Sequence, residues 1–245
     1  MYHYRICFAK TGWLKYISHL DLQRTFQRIF RRAQVPLAYK KGFNPQPQFS
    51  FASPLAVGIE GQNEYLDFFL EKSWEETALK EAINEQCPPG IVIKKVIAVD
   101  LKLPPISSLL EAALYVIPLI KFPEKMDEKI KNIIAAENII IERKSKRRNK
   151  NVNIRPFIFD LRILEVEDPE KVAAGEVAGK LIMLLATGNK GGIRPDEIVD
   201  LLGLEKEHFK KIYRQELFIN GKGGLENPLG INYEEYMKKW MNYEV

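Results

Sequence analysis

The sequence predicts an α+β protein built from two domains. Three observations support this prediction: a length of 245 residues, a balance of 46% hydrophobic and 28% charged residues, and strand and helix patterns that alternate along the chain. A domain commonly holds about 100–150 residues, so this length accommodates two. The composition is ordinary for a folded protein and too apolar for wholesale disorder.

The beginning of the chain predicts a strand followed by an amphipathic helix. Residues 3–9 alternate and contain aromatic side chains, as strands do. Ser18, with Asp21 three residues later, is a capping-box-like helix start. Apolar residues then recur at helical spacing from Leu22 to Ala33, which predicts the buried side of this helix.

Four more elements complete the first predicted domain. Strands are predicted over 49–61 and 63–71 with a turn around Gly61, and a helix over 74–86 precedes a strand over 91–99. The resulting order, β-α-β-β-α-β, is that of the ferredoxin-like unit.

The remainder of the chain predicts a degenerate second copy of this unit. Pro104 and Pro105 mark the linker, so the predicted domains are 1–103 and 104–245. The predicted fold is therefore a tandem of ferredoxin-like domains with a C-terminal helical extension. Strands are expected over 113–120, 138–143 and 152–164, and helices over 123–136, 175–187, 195–203, 205–216 and 234–243.

Positive charge is concentrated in the first 50 residues. The whole chain carries a net charge of +5, whereas this segment holds nine Lys and Arg residues against one acid, Asp21. The segment therefore carries +8 and the rest of the chain −3. A local excess of this kind attracts polyanions.

Four arginines of the predicted first helix share one face. They fall at i, i+4, i+7 and i+8, away from the apolar stripe. A guanidinium group binds phosphate bidentately and stacks on unpaired bases, so we predict RNA binding here. The alternative is a solvated surface without a partner. These residues are Arg24, Arg28, Arg31 and Arg32.

The loop that follows this helix combines cations, an aromatic ring and amides between prolines. Lys40 and Lys41 would contact phosphate, and Phe43 would stack on a splayed base. Asn44 and Gln46 carry donors and acceptors that can read base edges. The alternative is a proline-stiffened connection with Phe43 in the core.

A third basic segment lies at the predicted hairpin tip 143–150, where six of eight residues are cationic. Such a tip would grip the phosphate backbone without reading sequence, or it would only aid solubility. The six cationic residues of this tip are Arg143, Lys144, Lys146, Arg147, Arg148 and Lys150.

Lys10 is a further candidate RNA contact.

His19 is the one residue for which the sequence suggests a catalytic role. It lies beside the predicted helix cap, where an imidazole can contact phosphate or act as a general base in RNA cleavage. The alternative is a histidine that makes only local hydrogen bonds.

Cofactor and membrane signals are missing from the sequence. The three histidines are dispersed, and the two cysteines, Cys7 and Cys87, lie in different predicted elements. We therefore expect no metal, cofactor or disulfide. No nucleotide-binding motif and no long apolar run occurs, so we expect a cytoplasmic protein that contacts no membrane and is a binding protein rather than an enzyme.

Several short motifs resemble those of the radical-SAM-linked protein family. The resemblance covers about the first hundred residues, with a looser similarity over 155–160 and 194–196. The family pattern has a histidine where this chain has Gln46. The matching motifs are Lys10-Thr11-Gly12, Ile17-Ser18-His19-Leu20-Asp21, Leu37-Ala38-Tyr39, Gly42-Phe43-Asn44-Pro45, Ser50-Phe51-Ala52 and Pro54-Leu55.

This resemblance implies a protein fused to, or encoded beside, a radical S-adenosylmethionine (SAM) enzyme that modifies RNA. The chain lacks the CxxxCxxC motif that ligates the iron–sulfur cluster of such enzymes, so that chemistry would belong to a separately encoded partner. The leading hypothesis is an accessory protein that binds tRNA or rRNA and presents it to this partner. Two alternatives stay open: a metal-independent endoribonuclease similar to the enzymes that process CRISPR repeats, with His19 catalytic, and a protein–protein adaptor without nucleic acid.

Overall fold

Helices and strands alternate along both halves of the chain, so the α+β class predicted from the sequence is confirmed. The computed structural model divides the chain into two units, Met1–Leu110 and Glu111–Val245. The residues that it describes are 1–43, 45–143, 149–165, 177–188, 191–205 and 211–244.

The first unit contains the predicted order β-α-β-β-α-β. Its elements are β1 (Tyr2–Lys10), a 3-10 helix (Gly12–Tyr16), α1 (His19–Arg32), β2 (Phe49–Phe51), β3 (Glu60–Leu70), α2 (Glu76–Asn84), β4 (Ile91–Val99) and the short α3 (Ile106–Leu109). The strands lie side by side in the order β4–β1–β3–β2. Each neighbouring pair is antiparallel.

Helix α1 begins where the sequence predicts. The Ser18 hydroxyl caps it by accepting a hydrogen bond from the backbone N–H of Asp21, at 3.1 Å. The predicted apolar stripe packs on the sheet, and Phe26 lies 4.9 Å from Phe8 and 5.3 Å from Phe51 between ring centroids. One side of α1 is thereby committed to the core. Its buried residues are Leu22, Phe26, Ile29 and Phe30.

The predicted strand over 49–61 is much shorter than expected. Only Phe49–Phe51 pairs with β3, and Gly61 lies within β3 rather than at a turn. Pro54 cannot donate to a ladder, and Gly58 adopts a positive φ of 91°. Both residues favour the irregular connection that replaces the rest of the predicted strand.

The second unit also alternates strands and helices. Its elements are β5 (Leu110–Leu119), α4 (Met126–Ala135), β6 (Ile140–Arg143), β7 (Lys150–Asn153), a 3-10 helix (Arg155–Phe157), β8 (Ile158–Glu165), β9 (Gly179–Ala186), α5 (Pro195–Leu202), β10 (Tyr213–Gly221), β11 (Gly224–Glu226) and α6 (Tyr233–Glu244). Four strands lie in the order β10–β5–β9–β8. Strands β6 and β7 form a separate antiparallel hairpin.

Three predictions for the second half were wrong in part. The helix expected over 175–187 is strand β9 from Gly179 to Ala186, and residues 213–216 of the helix expected over 205–216 belong to β10. Nearly every residue of β9 is buried, so the segment is a continuous apolar run, which does not distinguish a buried strand from a helix. The strand expected over 152–164 is interrupted by the 3-10 helix that contains Pro156.

None of the helices described here has the length and apolar character required to cross a membrane.

Candidate nucleic-acid interface

The four candidate arginines lie on the solvent side of α1, opposite its buried stripe, and all are exposed. Arg24 is paired with Asp21, with 3.3 Å between the guanidinium nitrogen and the carboxylate oxygen. Within the described ranges, Arg28, Arg31 and Arg32 have no ion-pair partner. Three positive charges on one helix surface are thus available to an anionic ligand.

Not every cation of the basic segment reaches this surface. Lys10, a predicted RNA contact, is only 1% exposed, and its ammonium donates to the backbone oxygen of Ile17. The surface assignment of Lys10 is therefore wrong. Arg5 is also internal, since it donates to the buried carboxylate of Asp67 at 2.7 Å and 3.1 Å.

The loop after α1 folds back on itself over residues 38–48, which we call the 38–48 loop. Tyr39 and Pro47 face each other in an antiparallel bridge, and the N–H of Lys40 donates to the oxygen of Gln46 at 2.9 Å. At its base, Ala38 donates to the oxygen of Phe69 at 2.7 Å. These bonds attach the loop to β3 and fix the backbone on both sides of its tip.

The tip of the 38–48 loop is exposed. The Phe43 ring lies entirely in solvent, so the alternative that placed it in the core is wrong. Lys40 and Lys41 are also exposed. Asn44, the candidate base-reading amide of this tip, lies outside the described residues.

A groove of about 410 Å³ lies where the C-terminal end of α1 meets the 38–48 loop. The groove brings together two predicted site residues, Arg31 from the helix and Gln46 from the loop. Among its described lining residues none is acidic, and Arg31 is the one that carries a charge. The lining consists of Gln27, Arg31, Gln34, Val35, Leu37, Tyr39, Pro45, Gln46 and Pro47.

Gln34 occupies an unusual backbone conformation at this groove. Its φ of 54° places it in the left-handed region, directly after the helix cap Ala33. Glycine or asparagine is common at such a position, and other residues adopt it at a cost of about 1 kcal/mol. The conformation turns the chain from α1 into the groove wall formed by Val35 and Leu37.

His19 is half-buried at the opposite end of α1. Burial and the nearby positive charge of Lys10 lower the pKa of His19 below its ordinary value of 6.5. Its Nε2 lies 3.2 Å from the side-chain nitrogen of Gln23, and its ring meets Phe51 edge-on at 5.3 Å. The lowered pKa favours the neutral imidazole, which can still donate to phosphate through its N–H or accept a proton as a general base, so both predicted roles of His19 stay predictions.

The basic hairpin of the second unit is described only at its two ends. Arg143 and Lys150 face each other at the ends of β6 and β7. Lys144, Lys146, Arg147 and Arg148, the other four candidate contacts, lie outside the described residues. Lys150 is exposed.

Arg143 is engaged within the second unit rather than free for RNA, contrary to the prediction. It donates to both carboxylate oxygens of Glu197, at 2.7 Å and 2.8 Å, and to the backbone oxygen of Gly192 at 2.9 Å. Burial raises the pKa of Glu197, but the hydrogen bonds and charge of Arg143 and the contacts of Arg194 outweigh it, and the net pKa falls. Arg143 therefore supports the structure of its unit.

Among the groove residues that sequence reasoning missed, three carry a polar or aromatic side chain: Gln27, Gln34 and Tyr39. Gln27 lies within α1 and Gln34 follows its cap, and nothing local marks either glutamine as a neighbour of the loop. Tyr39 precedes the Lys-Lys pair and is 52% exposed. An aromatic ring beside two cations is the one local sign of a stacking residue, and both Tyr39 and Phe43 fit it. The sequence therefore does not single out Tyr39.

Metal ligands are not grouped in the described part of the chain. No set of three or more His, Cys, Asp or Glu side chains among those residues could hold a metal ion. Burial raises the pKa of the Cys87 thiol to about 11, so this cysteine is a neutral thiol at pH 7.

Comparison with known proteins gives one family match. The family model described as "Uncharacterized protein conserved in bacteria (DUF2344)" matches residues 3–195. No curated protein matches the sequence.

Three solved structures are similar to this chain, each at 12% sequence identity. The match to a chain of a Cbf5-Nop10-Gar1 complex covers 99% of this chain and 56% of that chain, with a TM-score of 0.44. The match to a chain of the archaeal box H/ACA sRNP Nop10-Cbf5 complex covers 86% of this chain and 46% of that chain, with a TM-score of 0.38. The match to a chain of an H/ACA RNP bound to a substrate RNA containing 2'-deoxyuridine covers 99% of this chain and 56% of that chain, with a TM-score of 0.41. The chain spans about half the length of these solved chains.

Proposed function

This chain belongs to the bacterial family DUF2344, and we propose that it is an RNA-binding accessory protein that presents tRNA or rRNA to a radical-SAM modification enzyme. The observation that carries the RNA-binding part is the solvent face of α1. There Arg28, Arg31 and Arg32 are exposed and lack an ion-pair partner in the described residues.

Electrostatics favours an anionic strand as the partner of this face. Each phosphate contacted by an arginine releases condensed counterions, which drives binding at moderate salt. The exposed Lys40 and Lys41 extend the positive surface onto the 38–48 loop. An acidic protein surface would supply fewer and less regularly spaced charges than a polyphosphate strand does. RNA is therefore the partner that we propose for this face.

The experiment measures binding of bulk tRNA and rRNA fragments to the full chain between about 50 and 200 mM salt. We expect Arg28→Glu with Arg32→Glu to weaken binding at least about tenfold and to reduce the slope of log affinity against log salt by about 2. The matched control, Lys95→Glu with Lys102→Glu, makes the same charge change at exposed positions outside α1 and the 38–48 loop. RNA binding that is absent, or that responds equally to both double variants, would contradict the proposal.

The radical-SAM partner is supported by the sequence motifs alone. The two cysteines, Cys7 and Cys87, cannot supply a three-cysteine cluster motif, so we assign the radical chemistry to a separately encoded enzyme. Co-purification of the two proteins after nuclease treatment would support this part, and it would also separate direct contact from bridging by RNA.

We also propose that both units are ferredoxin-like, the second with the β6–β7 hairpin inserted. The strand order β4–β1–β3–β2 in the first unit supports this, because the equivalent strands of the second unit follow the order β10–β5–β9–β8. In both, the strand after the second helix lies beside the first strand. The endoribonuclease and adaptor alternatives stay predictions.

A further inference from the structure

The groove between α1 and the 38–48 loop has the chemistry of a nucleotide site. It offers an aromatic ring in Tyr39, a guanidinium group in Arg31 and side-chain amides in Gln27 and Gln34. Pockets for small ligands have volumes of roughly 300–1,000 Å³, and this groove, at about 410 Å³, falls within that range. Gln46 and the apolar side chains of Val35, Leu37 and two prolines form the rest of its lining.

We propose that this groove holds one unpaired nucleobase of the bound RNA, with Tyr39 against the face of the base and Arg31 on an adjoining phosphate. The inference rests on the proposed function, because it names the form of RNA that the site accepts. Duplex RNA hides its base faces, whereas single strands and loops expose them to aromatic side chains. The protein would therefore select RNA with an accessible base.

Charge and polarity identify the occupant as a nucleotide rather than another small or extended ligand. A nucleobase has apolar faces and edges that carry both donors and acceptors, and the amide groups of Gln27 and Gln34 carry both as well. The ligand must also be anionic, since the one charged lining residue described is Arg31 and the exposed Arg28 and Arg32 lie on the same helix. A proline-rich peptide would satisfy the apolar walls but has no phosphate for these arginines.

The backbone at Tyr39 is held by hydrogen bonds before any ligand binds. Its backbone oxygen accepts a hydrogen bond from the Gln48 side chain at 3.1 Å, and the neighbouring Ala38 oxygen accepts from the Gln48 N–H at 2.8 Å. Phe69 of β3 in turn donates to the oxygen of Gln48 at 3.0 Å. A preformed site of this kind binds without first ordering its own backbone.

The test compares one short RNA as a single strand and as a duplex, at equal phosphate concentration, with the full chain. We expect the single strand to bind at least about tenfold more tightly, and Tyr39→Ala to remove about tenfold of the single-strand affinity while leaving the duplex unchanged. Tyr39→Phe keeps the ring and should bind as the parent does. The control Tyr16→Ala removes a tyrosine with the same 52% exposure that does not line the groove, and it should bind as the parent does.

A second variant guards against a loss of folding in Tyr39→Ala. Gln34→Gly removes one groove amide and also removes the cost of the left-handed backbone conformation at this position. The variant should therefore be at least as stable as the parent, and yet bind the single strand roughly threefold more weakly. A 2-aminopurine base within the strand should change its fluorescence on binding to the parent and not to Tyr39→Ala.

The outcomes separate this inference from the proposed function. RNA binding that depends on Arg28 and Arg32 but shows neither a single-strand preference nor an effect of Tyr39→Ala overturns the base site and leaves the proposed function standing. An equal loss in Tyr16→Ala also overturns it, as does a proline-rich peptide that binds in a Tyr39-dependent manner where RNA does not. Absence of all RNA binding overturns both.

Discussion

Arginine side chains from the same set of candidates lie in two different environments. Arg32 is exposed on α1 without an ion-pair partner in the described residues, whereas Arg143 donates three hydrogen bonds, two of them to the 7% exposed Glu197. A fixed guanidinium group holds a buried carboxylate, and an unengaged one remains available to a ligand. The two residues should therefore differ in what their removal changes.

We predict that Arg143→Met destabilises the protein by about 2 kcal/mol, because it leaves the carboxylate of Glu197 buried without its strongest donor. Its RNA affinity should stay within twofold of the parent. The matched variant Arg32→Met should show the reverse, with lower RNA affinity and an unchanged free energy of unfolding. Urea unfolding and RNA titration of both variants measure this, and a large loss of RNA affinity in Arg143→Met without destabilisation would contradict it.

The sequence shows which cationic residues are candidates for binding RNA, but it does not show which of them are exposed in the fold. The spacing of Arg24, Arg28, Arg31 and Arg32 correctly indicated one helix face, because helical periodicity is local. Lys10 belongs to the same basic segment, and its burial depends on contacts with Ile17 that no local pattern reveals. Tertiary contacts thus decide which cations are exposed.

Elements with a one-sided apolar pattern were predicted well. Helix α1 has one buried side, and the cap at Ser18 marks its start. Strand β1 is buried at eight of its nine residues, and it could be predicted because His3 and Arg5 alternate with apolar side chains in the sequence. Strand β9 was not recognised, because residues 181–186 are all apolar and therefore lack the alternation that marks a strand. The groove likewise depends on where the 38–48 loop bonds to β3, which is a tertiary property.

Helix α1 carries the proposed RNA surface, so its capping can be tested separately from its charge. We predict that Ser18→Ala lowers the free energy of unfolding by about 1 kcal/mol, because the N–H of Asp21 loses its acceptor. Ser18→Thr keeps a hydroxyl that accepts from this N–H and donates to the Asp21 carboxylate, so it should restore most of this stability. Since the arginines are unchanged, RNA affinity should remain at the parental level under conditions where each variant is folded. Equal stability of Ser18→Ala and the parent in urea would show that the cap contributes nothing.

At the scale of the whole molecule, net charge conceals two kinds of charged group. The +8 of the first 50 residues was visible in the sequence, but Arg5 and Lys10 belong to the interior. Each unit also contains a carboxylate held by arginine: Asp67 by Arg5 in the first, and Glu197 by Arg143 in the second. Internal ion pairs of this kind govern acid stability, while the exposed cations govern ligand binding.

The two carboxylates set the direction of the pH dependence. Burial raises the pKa of Asp67, but hydrogen bonds from His3 and Arg5 and their charges outweigh it, and the net pKa lies below the ordinary 3.8. The pKa of Glu197 likewise lies below its ordinary 4.5. The unfolded chain therefore takes up these protons at higher pH than the folded protein does. Each carboxylate stabilises the fold fully above its unfolded pKa, and this stabilisation falls as the pH decreases through the folded pKa.

We predict that the free energy of unfolding is insensitive to these two groups above about pH 6 and falls progressively below about pH 4.5. Glu197→Gln should be less stable than the parent at pH 7, because a neutral amide is a weaker partner for Arg143, and its stability should decline less steeply on acidification. Urea unfolding at half-unit steps from pH 7 to pH 3 gives both curves. Parallel curves for the parent and Glu197→Gln would show that the pairing with Arg143 contributes no acid sensitivity. A decline that is steeper in the variant would reverse the assigned direction of the Glu197 pKa.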